Sequence, residues 1–377
     1  MPLADFLRGI RVIDVSQFIP GPQAALHLCD LGAEVVKVEP PGGEPMRSFP
    51  PLDPDGVGAP YKVMNRGKTV VELDLKTDTG KRAFAELIAA ADVLVESYRP
   101  GVLDRLGFDR KTLERLNPGL VHVALTGFGQ TGPYRTRAGH DINYMALAGG
   151  LAASGTEERP VAAYPPTADH ASALQAALAA VAALFRRRES GRGAFIDVSL
   201  AETVLAWQAI PMTLARRAGE APHRGAQILN GGTARYHVYG TSDGKFITLG
   251  AVEQKFWAAF CCAVGKAEWI ARYDDPLPQA ALIAEVTALI QSRPLAHWER
   301  VIDPADCCFH PVVDLAELPD HPQIAERRLV HCVADDPALI ETLFPAWVDG
   351  EPPAPRAELR FGAAADVLAR WRGSRMT

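Results

Sequence analysis

"IRVIDVSQFIPGPQAALHLCDLGAEVVKVE", residues 10–39, decides the fold. Residues 10–16 are a short β-branched run. Residues 20–32 place apolar side chains at helical spacing and stop at Gly32. Residues 33–39 are apolar again and rich in valine. A strand, a helix and a second strand, each strand close to continuously apolar, describe a βαβ unit. Such strands run parallel, and helices cover both faces of their sheet. The alternation continues outward from this stretch. Strand-like runs recur at 68–75, 92–98, 120–129 and 194–200, with helical segments between them. One of these, "DHASALQAALAAVAALFRRRESGRG" from Asp169, has an acidic start, a basic last turn and a glycine stop. The expectation is an α/β fold with a Rossmann-like parallel-sheet large domain.

Beyond residue 222 the pattern changes. "NGGTARYHVYGTSDGKFITLGAVE" reads as two strands joined by a Ser-Asp-Gly turn, an antiparallel hairpin. Helical segments follow near 254–265 and 278–291. This gives a smaller α+β domain over 225–325, a linker at 201–224, and a large domain built from 1–200 together with the tail 326–377.

The 377 residues are 48% hydrophobic and 22% charged, a balance that buries a sizeable core. A net charge of −6 argues against nucleic acid as a partner, so an anionic ligand must be met by local cations. The start lacks the basic and apolar regions of a secretory signal, and no uncharged apolar run approaches the ~18 residues of a membrane span, so no membrane partner is expected. Six cysteines occur without CxxC or zinc spacing. No metal is expected, and a reducing cytoplasm is the expected location. G-x-G-x-x-G, the P-loop and G-x-S-x-G are all absent, which weighs against dehydrogenase, NTPase and α/β-hydrolase readings.

"GHDINYMALAGGL", residues 139–151, sets His140 and Asp141 before an apolar run between glycines. Locally this reads as a polar pair capping a helix, and Asp169 as the N-cap of the next one. Glu253 reads as a strand-end carboxylate, and Asn230, Gly231 and Gly232 as a turn. A chemical reading stands beside the local one. Inverting a carbon next to a thioester needs a base on one face and an acid on the other, and His with Asp suits that task. The enolate that forms needs preorganised donors. At a helix N-terminus, free N–H groups and the helix dipole are expected to favour negative charge on Asp169.

Several stretches together resemble family III CoA-transferases (CaiB/BaiF). They are "LRGIRVIDVSQFIPGPQAALHLCDLGAEVVKVEPPGG", "NRGKTVVELDLKTDTG", "ADVLVESYRPGVLDRLGFD", "TGFGQTGPYRTRAGHDINYMALAGG" and "SGRGAFIDVSLAE". They occur in order, and the resemblance covers at least residues 8–255. "GHDINY" and "SDGKFITLGAVE" are similar to the α-methylacyl-CoA racemase branch. The resemblance implies that His140, Asp169 and Glu253 hold catalytic positions, with Glu253 orienting His140 across a domain or subunit boundary. It implies that Gln17, Leu73, Lys76, Ser97, Tyr98, Arg99 and Arg105 bind CoA. Tyr144 joins the substrate-binding set, and the Asn230–Gly232 turn approaches the thioester. It further implies an interlocked homodimer and a role in lipid metabolism, with no cofactor beyond the CoA carried by the acyl-CoA substrate. Two departures stand out. "ADHASALQ" replaces a glycine-rich run after the aspartate, and "QILNGGTARY" has two glycines where oxalate- and formate-type transferases have several. The expected activity is epimerisation of 2-methylacyl-CoA thioesters by His140 and Asp169. One alternative is CoA transfer, in which Asp169 attacks an acyl-CoA to form an anhydride and then an aspartyl-CoA thioester. The other is CoA-ester binding without turnover.

Overall fold

The computed structural model describes residues 2–219, 223–334 and 336–373. They form two compact units. The first holds the residues up to Leu147, Tyr164–Ala206, and the chain from Pro319 onward. The second holds Ala148–Ala163 and Trp207–Leu318. In chain order the first unit supplies β1 (Arg11–Asp14), β2 (Glu34–Glu39), β3 (Thr69–Glu72), β4 (Val93–Glu96), β5 (Val121–Thr126) and β6 (Ala194–Ser199). The second supplies β7 (Tyr236–Gly240), β8 (Phe246–Gly250) and β9 (Phe309–Pro311). The first then adds β10 (Val330–Val333), β11 (Asp336–Thr342) and β12 (Arg360–Gly362).

The main sheet has the order β12-β3-β2-β1-β4-β5-β6, and every neighbouring pair is parallel. Register is set by apolar side chains. Ile13 lies opposite Val36 on one side and Leu94 on the other. Because side chains alternate along a strand, Ile13, Val36 and Leu94 share one face. There they pack with Phe84, Leu87 and Ile88 of the helix Asp78–Ala90, and with Val367, Leu368 and Trp371 of the helix Ala364–Gly373. The Asp78 helix starts where the Thr77 hydroxyl accepts the Gly80 N–H at 3.1 Å, a side-chain N-cap.

On the opposite face lie the helices Pro20–Asp30 and Thr167–Ser190, packed against each other and the sheet. Their buried surfaces are made of small residues: Ala24 and Ala25 on the first, Ala173, Ala176, Ala177 and Ala180 on the second. Small side chains let the backbones approach closely, which explains the alanine content of a helix that by length and composition could cross a bilayer. It is the covering helix of a sheet. Its far side keeps Leu174, Leu178 and Phe185 exposed, at 54%, 64% and 70%.

In the second unit β7, β8 and β9 form an antiparallel sheet, with the expected turn at Ser242–Gly244. Its core gathers Tyr239, Ile247 and Leu249 with Trp257, Phe260, Trp269, Val286 and Trp298.

Candidate active site

The strand order of the main sheet reverses between β1 and β4. In open α/β sheets a crevice forms at such a point, beyond the carboxyl ends of the strands, and ligands bind there. Here the loops that follow β1 and β4 meet. The Gln17 N–H donates to the Ser97 hydroxyl at 2.9 Å. The loop after β1 is held from below by buried charge. Lys37 Nζ donates to the Ser16 carbonyl at 2.9 Å and pairs with Glu44 at 3.1 Å, and Glu44 accepts the Phe18 N–H at 2.9 Å. Phe18 is thereby kept at φ +63°. Gly21 is required where the next helix begins, because a Cβ there would lie 2.2 Å from the Ser16 Cβ.

A cavity of about 550 Å³ opens at this point. Gln17, Ser97, Tyr98 and Arg99 line it from the β1 and β4 loops, and His140, Tyr144 and Asp169 line it from beyond β5. His140 immediately precedes the helix Asp141–Leu147, and its N–H donates to Asn143 Oδ1 at 3.0 Å. Tyr144, one turn on, donates its hydroxyl to the Gly139 carbonyl at 2.5 Å and stacks edge-on against Phe128. Gly127 makes room for that ring, since a Cβ would fall 2.3 Å from it. Burial pushes the Tyr144 phenol up to about 12, which leaves it a neutral donor.

Asp169 is the third residue of the helix Thr167–Ser190 and not its cap; Pro166 holds the cap position. The capping carboxylate comes from 27 residues earlier. Asp141 Oδ1 accepts the Ala168 N–H at 2.6 Å and the Asp169 N–H at 3.2 Å. This corrects the electrostatic expectation. Donors that would have favoured an anion at Asp169 are already taken by another carboxylate. Burial first, and the Asp141 charge second, push the Asp169 carboxyl from 3.8 up to about 7. The neighbouring His170 is held below its ordinary value by burial, and its Nδ1 meets Gln23 Oε1 at 2.5 Å.

The other expected residues are distributed as follows. Leu73 and Lys76 line a smaller cavity of about 100 Å³, which shares Tyr98 with the larger one. Arg105 is exposed at the end of the helix Val102–Arg105 and lines neither cavity. Asn230, Gly231, Gly232 and Glu253 belong to the second unit. Asn230 holds a tight turn there. Its Oδ1 accepts the Gln227 N–H at 2.7 Å, while the Gly231 carbonyl meets His237 Nδ1 at 3.0 Å. Glu253 is exposed at the start of the helix Gln254–Ala263 and makes no side-chain cap bond to it. Arg135 and Arg137 line the large cavity and were not anticipated, although "RTR" stands just before "AGHD". The Arg137 guanidinium lies 3.8 Å from the centre of the Tyr134 ring.

A family model described as CoA-transferase family III matches residues 7–358. The human protein named alpha-methylacyl-CoA racemase is 35% identical over 334 residues, covering 85% of this chain and 81% of that one. Acetyl-CoA:oxalate CoA-transferase of Acetobacter aceti is 32% identical over 333 residues, covering 85% and 84%. The crystal structure of a CAIB/BAIF family protein from Brucella suis superposes with a TM-score of 0.84 at 26% identity, covering 97% of this chain and 99% of that one. The chain belongs to CoA-transferase family III, the CaiB/BaiF family of enzymes that act on CoA esters, whose members similar to it include both racemases and CoA-transferases.

Proposed function

We propose that this protein is an acyl-CoA racemase that inverts the carbon next to the thioester carbonyl. The observation that carries the reading is the pairing of His140 and Asp169 on one cavity, with the Asp169 carboxyl pushed up to about 7. A group that titrates near neutrality both accepts and donates a proton at physiological pH, as a two-base inversion requires. One residue removes the α-proton from its face of the thioester, and the other returns a proton to the opposite face. The roles exchange for the other enantiomer. A nucleophilic aspartate uses its carboxylate form alone and has no need of a proton to return, whereas the two-base reading uses both forms of Asp169. Lys76, Arg99 and Arg105 supply positive charge for the CoA phosphates in this reading. Glu253, which makes no side-chain cap bond to its own helix, is the third catalytic residue of this reading. The substrate class is a 2-methylacyl-CoA thioester, and the reading calls for no cofactor beyond the CoA it carries.

A homodimer is part of the same proposal. It is supported by the exposed Leu174, Leu178 and Phe185 on one helix and the exposed Ile210, Met212 and Leu214 on another.

The test is incubation of a 2-methylacyl-CoA with the enzyme in deuterated water, followed by mass spectrometry of the thioester. Gain of one deuterium at the α-carbon, with loss of optical activity, is expected. Transfer of CoA to an added carboxylate without exchange would make Asp169 a nucleophile. Binding with neither would leave a CoA-ester-binding protein.

A further inference from the structure

We propose that Asp141 is a positioning residue that governs when Asp169 carries its proton. It takes the amide donors at the head of the long helix and sets a second negative charge beside the reacting carboxyl. The inference rests on the two-base reading of His140 and Asp169, and concerns a residue that touches Asp169 through the backbone.

The geometry makes three points. The Asp141 carboxylate is bonded to the N–H of Asp169 itself, at 3.2 Å, and to the preceding N–H at 2.6 Å. A helix head with free donors would stabilise the Asp169 anion, and this head is occupied. The groups facing Asp169 offer little compensation. The segment 135–147 contributes Arg135, Arg137, His140, Asp141 and Tyr144, and the β4 loop contributes Arg99. On its own helix stands His170, which is engaged with Gln23 of the helix Pro20–Asp30. Of these, Asp141 is the one whose charge acts on Asp169, in the same direction as burial. The adjacent pair "HD" is thereby given a division of labour. His140 faces the cavity, and Asp141 turns away to the next helix and conditions the opposing acid.

Asp141→Asn and Asp141→Ser test this. Both remove the charge; asparagine keeps an oxygen at the Oδ1 position that accepts the amide bonds, whereas the serine hydroxyl, one bond shorter, does not reach it. The Asp169 carboxyl is titrated by carbon NMR of protein labelled at the aspartate carboxyls, with Asp169→Asn used to identify its signal. This readout does not depend on turnover. The Asp169 midpoint is expected to fall by about one pH unit in each variant, and the limb of the pH profile for α-proton exchange should fall with it. An unchanged midpoint in either folded variant would overturn the inference. So would a wild-type midpoint in the ordinary carboxylate range. If the midpoint moves while the wild-type enzyme exchanges no α-proton, the racemase reading fails and the coupling of Asp141 to Asp169 stands.

Discussion

Asp169 is buried enough to be costly as an anion, and that cost has a consequence for stability. Its carboxyl titrates near 7 in the folded chain, against an ordinary value of 3.8. A group whose folded value is raised contributes stability that is fully present below the unfolded value and lost as the pH rises through the folded one. Asparagine keeps the shape and removes the titration. Asp169→Asn should therefore be more stable than the wild-type protein at pH 8, by about 1–2 kcal/mol once partial solvent access is discounted. The difference should vanish below about pH 4. Denaturant unfolding at pH 4, 6 and 8 checks this, and a gap that grows toward acid would contradict it. Read locally, His140 and Asp169 are cap residues; the resemblance carried by the surrounding motifs marks them as catalytic candidates, and the structure sets both on one cavity. The role of Asp141 was not legible in the sequence. A hydrogen bond between residues 141 and 168 depends on how two helices meet, and local capping patterns look only three or four residues ahead.

Between residues and the whole chain, the elements are held by buried charge as well as by apolar packing. Lys68 is fully buried just before β3. Its Nζ donates to Asp14 at 2.9 Å, to the Pro22 carbonyl at 2.8 Å and to Asn65 at 2.9 Å. It ties the end of β1 to the start of the helix Pro20–Asp30. Burial pushes the Asp14 carboxyl up, but Lys37, Lys68 and the Ser16 hydroxyl outweigh it and bring it down to about 2. Lys68→Met would leave Asp14 with Lys37 at 3.8 Å as its remaining cation. Breaking a buried pair from one side costs about 3–5 kcal/mol, and chemical denaturation should show a loss of that size. A loss under about 1 kcal/mol would show that the Asp14 cluster is not what fixes the crevice. The strands themselves were legible, because a sheet covered on both faces leaves unbroken apolar runs such as residues 33–39. Their spatial order was not. The edge strand β12 is three residues long, carries an exposed Phe361, and pairs with β3 across nearly three hundred residues of chain. No local pattern marks it.

For the whole molecule, the exposed apolar side chains call for a partner. Leu174, Leu178 and Phe185 fall on one side of the long helix at spacings of four and seven residues. In the proposed homodimer a second copy covers them. Sedimentation at micromolar concentration should show a dimer, and an interlocked one would have a Tm insensitive to dilution. A monomer boundary under those conditions would count against it. The change from alternating strands and helices to a hairpin marks the second unit's sheet, while Ala148–Ala163, inside the stretch 1–200 read as one domain, and Trp207–Leu318 group together in that unit; the positive charge expected for an anionic ligand is partly at the cavity. Arg135 and Arg137 carry no such signal, because nothing in a loop's sequence tells which way it folds over a cavity.

The central claim is that His140 and Asp169 act on opposite faces of one carbon, and enantiomer-resolved exchange tests it most directly. Each pure enantiomer of a 2-methylacyl-CoA is incubated in deuterated water with wild-type, His140→Ala and Asp169→Ala enzymes, each checked for an intact fold by circular dichroism. The wild-type enzyme is expected to exchange and racemise both. Each variant should lose racemisation by at least about a hundredfold while retaining exchange of the one enantiomer whose proton faces the surviving base. Racemisation by His140→Ala at the wild-type rate would contradict the claim.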